Sequence, residues 1–314
     1  MRSACNALLA LALCACGNLS NEDIAFAEAL PRTGDLHLQI PAQAPAAASS
    51  ALSACTLGEA QQWLLGARDT GDKLNLAVDA LLGIIDAIRH ASPTSRRPDL
   101  RIWSFPDSKH PGVQLEASML RVAQSAGATT AQQAWSFAID ARRGSGPYLE
   151  VLYAYFVGSE ARTGLGEITI NFDNSRILQI NGPNDPPGTM LIHYDLSGDP
   201  RTLQIDLGAT GLGLSQFDYF YAGFSNGSGR FDYFFPDASG NRFSLQTSFT
   251  AAGAGKAHML VSTAQSTGTL DECWDAAACL TYVVDPLSVT AICNGILPGL
   301  CPKQGNVQSC PNVP

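Results

Sequence analysis

From Leu100 to Ser262 the chain alternates apolar and polar residues. Val113, Leu115, Ala117 and Met119 are separated by Gln114, Glu116 and Ser118. Trp135, Phe137 and Ile139 are separated by Ser136 and Ala138, and Ile168, Ile170 and Phe172 by Thr169 and Asn171. Successive side chains of a strand point to opposite faces, so period two marks half-buried strand. The runs at 102–105, 149–157, 190–196, 203–207, 217–224, 230–235, 243–249 and 257–262 continue the series. Between them stand Ser197-Gly198-Asp199-Pro200, Asn226-Gly227-Ser228-Gly229, Asp237-Ala238-Ser239-Gly240-Asn241 and Ala252-Gly253-Ala254-Gly255. Gly and Asn supply the positive φ that tight turns require. The chain therefore reads as mainly β: about ten strands in sequence-neighbour order, an antiparallel meander. So many strands predict a sheet curled into an open or closed barrel. Short turns at both ends and charge on the polar faces argue against a membrane-spanning barrel.

One long helix stands beside this series. In 71–90, Leu74, Ala77, Val78, Leu81, Ile85 and Ile88 form a single apolar stripe, with Asp72, Lys73, Asp79, Asp86 and Arg89 mostly off it. Pro93 predicts its end near Ala91. The helix, about 72–90, is expected on the concave face or mouth of the sheet. Gly83 costs it up to about 1 kcal/mol relative to Ala and is read as allowing close approach to the strands. Before the helix, 18–35 reads as an acidic tether with a short helix around 24–30. Leu36, Leu38 and Ile40 read as a strand, 41–54 as an Ala/Pro-rich linker, and 57–67 as a short helix carrying Trp63. After the strands, Asp275-Ala276-Ala277-Ala278 reads as a turn of helix and 281–284 as a strand, followed by Pro, Gly and Cys-rich coil. The organisation is then 1–15 signal peptide, 16–56 tether, short strand and linker, 57–265 helix plus β domain, and 266–314 Cys-rich segment.

The first 16 residues have the form of an export signal: Arg2, then the apolar run 7–13, too short to span a bilayer. The run ends in Leu13-Cys14-Ala15-Cys16-Gly17, which resembles the bacterial lipobox. The resemblance implies diacylglycerol on the Cys16 thiol, removal of the leader, and acylation of the new amino group. Several acyl chains suffice for stable anchoring. Gly17, rather than Asp, implies the outer membrane by the sorting rule of enteric bacteria. The implied location is exported and membrane-anchored, on the periplasmic face of the outer membrane or the cell surface.

Nine cysteines fit an oxidising compartment. Cys5 and Cys14 leave with the leader and Cys16 takes lipid. Cys55, Cys273, Cys279, Cys293, Cys301 and Cys310 remain, enough for three disulfides with fifteen pairings open. The simplest expectation ties Cys55 to the C-terminal group. A metal site is the rival reading, but there is no CxxC and no His inside the group, so neither metal nor cofactor is expected.

A net charge of −9 argues against a nucleic-acid partner, which needs a basic face. Gly223-Phe224-Ser225-Asn226-Gly227 matches GxSxG, but a nucleophile elbow requires a following helix, and an aromatic strand follows here. His37, His90, His110, His193 and His258 form no metal motif. The turn at 237–241 has Ca²⁺-like oxygen spacing without the downstream Glu. Glu167 with Asp173, or Asp195 with Asp206, are arbitrary acid–base picks among scattered acids.

The aromatic set is more informative. It includes Tyr148, Tyr153, Tyr155, Phe156, Phe217, Tyr219, Phe220, Tyr221, Phe231, Tyr233, Phe234, Phe235, Phe243 and Phe249, so both faces of some strands need cover. Leu81, Ile85, Ile88, Trp135, Phe137, Ile168, Ile170 and Phe172 are the candidates to line a core or a ligand cavity. In outline the architecture is similar to the localisation-of-lipoprotein carriers, whose curled sheet, lidded by helices, holds acyl chains. The leading expectation is a lipid-anchored envelope protein whose non-enzymatic β domain binds an apolar, lipid-like ligand. The alternative is a structural or assembly lipoprotein with a filled core, acting through an envelope protein partner. A secreted hydrolase ranks third.

Overall fold

The computed structural model describes residues 19–32, 36–37, 55–57, 85–122, 133–158, 164–181, 187–208, 217–236, 239–264, 266–286 and 303–314, together with 72, 75, 78, 82 and 83. The leader with its lipobox, the linker at 41–54, the expected helix from 58 to 67, Leu74, Ala77, Leu81, Cys293 and Cys301 lie outside the described residues. The chain forms two compact units, 1–36 with 78–197, and 37–77 with 198–314.

In the first unit seven strands pair antiparallel in chain order: β1 (Ser95–Arg97), β2 (Leu100–Pro106), β3 (Val113–Val122), β4 (Ala134–Arg143), β5 (Leu149–Val157), β6 (Leu165–Asn171) and β7 (Thr189–Asp195). The alternation sorts their side chains as expected. Trp103, Ala117, Met119, Trp135, Phe137, Ile139, Ala154, Phe156, Ile168 and Ile192 are buried. Tyr153 and Tyr155, on the other face of β5, stay exposed.

The short helix expected within 18–35 is present, starting three residues earlier than expected. Asn21–Ala29 is a helix, α1, begun by a capping box in which Ser20 Oγ accepts from the Asp23 amide and the Asp23 carboxylate accepts from the Ser20 amide. Phe26 is fully buried, edge-on to Trp135 with ring centroids 5.0 Å apart, under the guanidiniums of Arg101 and Arg121. Arg101 Nε donates to Asp23 at 2.6 Å and Arg96 Nε at 3.0 Å. Leu36 lies in a turn rather than a strand and is buried.

The long helix, α2, is helical at every described position from 78 to 89. Val78, Leu82, Ile85 and Ile88 are buried. Its end is fastened: Arg89 Nε donates to the Ala27 carbonyl at 2.9 Å, and Trp103 Nε1 to the Ala91 carbonyl at 2.9 Å. The role expected of Gly83 is overturned. It is exposed, and a Cβ there would meet nothing within 4 Å. Phe172 is also corrected. The strand stops at Asn171, whose side chain accepts from the Asn174 amide, and Phe172–Ile177 is a short helix, α3. Ile170 and Phe172 are only half-buried.

In the second unit eight strands pair in chain order: β8 (Arg201–Gly208), β9 (Phe217–Gly223), β10 (Gly229–Pro236), β11 (Arg242–Phe249), β12 (Gly255–Ser262), β13 (Thr267–Trp274), β14 (Leu280–Val284) and β15 (Gln304–Gly305). Leu245, Ala257, Met259, Leu270 and Trp274 form one core cluster. Phe231 stacks between Tyr219 and Tyr233 at centroid distances of 6.2 and 6.4 Å. The segment 275–278 is a hairpin turn, not a helical one: Ala278 has φ 59° and the Asp275 amide donates to the Cys279 carbonyl.

The described strands thus number fifteen rather than about ten. Among the described residues β1 pairs only with β2 and β15 only with β14, so the closing ladder of a barrel is not present.

Candidate functional site

The outward face of β10–β13 is built by the same alternation that fills the core. Register places Arg230, Ser248, Lys256 and Cys273 in one cross-strand row and Asp232, Gln246, His258 and Asp271 in the next. Their strand neighbours Phe231, Thr247, Ala257 and Glu272 turn to the buried side.

Over these rows lies an open cavity of about 530 Å³. Its floor is Ser248 and Cys273, both buried, with Tyr282 beside them. One wall is the segment 307–310, which the Cys273–Cys310 disulfide (Cα atoms 5.2 Å apart) holds to the sheet. Arg230 is oriented by the Asp232 carboxylate, to which its Nε and Nη2 donate at 3.0 and 2.6 Å. His258 Nδ1 stands 2.6 Å from the Asp271 carboxylate. Lys256 projects into solvent and makes no ion pair with a described residue. The arrangement offers two cations, an imidazole held by a carboxylate, an amide and a hydroxyl. That is a set for holding a polar ligand.

Glu272 borders the cavity, but strand alternation turns its carboxyl to the buried side of the sheet. Burial, and then the nearby Asp285 carboxylate, push its carboxyl up to about 8, so it is protonated at neutral pH. Its Oε1 and the Thr247 hydroxyl are buried without hydrogen-bond partners among the described residues.

The residues singled out in the sequence fall as follows. Ile85, Ile88, Trp135, Phe137 and Ile168 are core of the first unit and line no part of this cavity. Ser225 of the GxSxG match sits in the β9–β10 turn and donates to the Asp199 carboxylate at 2.5 Å, with another strand, not a helix, after it. Of the five histidines, His258 lines the cavity, and His193 pairs with Glu167 across β6 and β7 at 3.3 Å. His110 lies 2.6 Å from Asp107, and His90 Nδ1 contacts the Asp86 carbonyl. Asp173 accepts from Arg176 and from the Gly188 amide, and the Asp195 carboxylate accepts from Ser197. Asp237 and Ala238 lie outside the described residues. Cys55 is bonded to Cys279, as the expected tie to the C-terminal group requires. Among the described residues no group of three or more His, Cys, Asp or Glu is placed to hold a metal ion, and no helix is long and apolar enough to cross a membrane.

Arg230, Ser248 and Lys256 were missed because no motif links them. Their only sequence signal is their place at alternate positions of strands whose other positions are aromatic or apolar. Compared with known protein families, curated proteins and solved structures, the chain matches none.

Proposed function

We propose that this chain is an exported protein, lipid-anchored at Cys16, with a non-enzymatic β-structure that works by binding at its polar surface. One observation carries the reading. Among the described residues the core is filled by large side chains, with Phe26, Phe137, Phe156, Phe231, Phe249 and Trp274 each at most 2% exposed, while the cavity over β10–β13 has Arg230, Lys256, His258, Asp271, Gln246 and Ser248 among its lining residues. Side chains that fill an interior leave no room for acyl chains, so of the two binding readings the filled core acting through its surface is favoured over a lipid carrier. Its partners are the membrane, through the anchor, and a polar ligand or envelope protein. The acidic net charge of −9 leaves nucleic acid out.

The test is expression with the native leader in a bacterial host. Radiolabelled palmitate is expected on the wild type and absent from Cys16→Ser, which should leave the membrane fraction. Native mass spectrometry of the extracted protein is expected to show no stoichiometric lipid beyond the covalent anchor. A co-purifying lipid at one per chain would restore the carrier reading.

A further inference from the structure

We infer that the cavity over β10–β13 is a binding site for a small oxyanion, a carboxylate or phosphate group, held between Arg230 and Lys256 above the Ser248 hydroxyl. The inference rests on the binding reading above and names its ligand.

Arg230 pairs with Ser248 and Ser248 with Lys256, so the three stand side by side on β10, β11 and β12. Strands lie about 4.8 Å apart, which puts the two cationic residues roughly 10 Å apart at the backbone with a short side chain between them. Two long basic side chains flanking a short hydroxyl make a cradle: the ligand sits low over Ser248 and is gripped from both sides. The parts are pre-arranged. The Asp232 carboxylate holds the Arg230 fork in place, and a guanidinium whose orientation is already fixed loses less freedom on binding an oxyanion. Lys256 is exposed and forms no ion pair with a described residue. The buried floor of Ser248, Cys273 and Tyr282 excludes water from below, which strengthens charged hydrogen bonds above it.

The acids of the neighbourhood do not cancel this. Asp232 takes up Nε and Nη2 of Arg230, which leaves Nη1 to reach the ligand and Lys256 as the cation without an ion pair to a described residue; Asp271 is paired with His258, and strand alternation turns the Glu272 carboxyl to the opposite face. His258 and Gln246, one row along, are placed for a hydroxyl or amine on the rest of the ligand. In a chain of net charge −9, anion capture has to be local, and it should weaken with salt.

The experiment is a titration of the full-length protein with inorganic phosphate, and separately with acetate, at constant ionic strength and pH 7, read by calorimetry and by amide shifts of Ser248 and Lys256. Saturable binding of at least one anion is expected. It should fall about tenfold or more in Lys256→Gln and in Arg230→Gln, and more weakly in Ser248→Ala. Lys256 is exposed, so Lys256→Gln should keep the wild-type thermal midpoint even if Arg230→Gln does not fold. Absence of saturable binding, or equal affinity in wild type and Lys256→Gln, overturns the inference. A neutral polar molecule found on the native protein, lost in His258→Ala but kept in Lys256→Gln, would overturn the oxyanion while leaving the binding function standing.

Discussion

Gly255 opens β12 beneath the Trp274 ring. A Cβ there would strike that ring and the Ser248 carbonyl oxygen, and the second contact is backbone, which cannot swing aside. Gly255→Ala is expected to destabilise the protein by about 1–3 kcal/mol, read as a lowered urea midpoint. Gly83 is the opposite case. Its surroundings are open and its backbone is helical, so Gly83→Ala should stabilise by about 0.5–1 kcal/mol in the same assay. Glu272 carries a pH signature. Its carboxyl is raised to about 8 in the fold by burial and Asp285, against about 4.3 in an unfolded chain. The unfolded state therefore loses this proton first, and stability drains away as pH rises from near 5 toward 8. Glu272→Gln cannot ionise. Thermal melts at successive pH values should show its advantage over wild type growing through that window and levelling off above it.

At the scale of elements, α1 behaves as a docked piece of the first unit. Asp23 is 1% exposed and bonded to Arg101, Arg96 and the Ser20 amide. Burial alone would raise its carboxyl, but these donors outweigh burial and hold it well below the ordinary carboxylate range. The contribution is complete above about pH 4 and is lost as pH falls below that. Asp23→Asn leaves Arg101 buried without its counter-charge and should cost about 3–5 kcal/mol at pH 7. The wild-type advantage should shrink on acidification, measurable by urea melts at pH 7 and pH 3. This helix was legible only in part. Ser20 and Asp23 spell a cap, but nothing in an acidic stretch announces that one Phe will seat under two arginines. The long strands were legible because burial on one face imposes period two. β1, with the sequence Ser-Arg-Arg, has no apolar period to read. β13 was hidden by Glu272, a carboxyl at a position where the alternation calls for an apolar side chain. Phe172 kept the period of β6, yet the Asn171 side chain caps a helix there, and a local hydrogen bond decided against the pattern.

At the scale of the whole molecule, the disulfides do what a small strand cannot. β15 has two residues, and its neighbourhood is held by Cys273–Cys310, which closes a loop of 37 residues. Cys273→Ser with Cys310→Ser is expected to lower stability by about 2–4 kcal/mol. It should also weaken phosphate binding, because the wall of the cavity is then released; calorimetry on the double variant checks both. The cavity itself was not legible in the sequence. A site assembled from single polar residues on four strands becomes visible only when register is known, and a shift of one residue would send each of them to the core.

The order in which the strands pair also bears on how the protein is made. Every ladder within each unit joins strands adjacent in the chain, so each hairpin can close as soon as its second half is delivered. Cys55 is the exception, since its mate lies 224 residues downstream. That bond can close only once β8 to β13 have all been made, because Cys279 follows β13 in the chain. It therefore fastens strand pairing that is already available rather than guiding it.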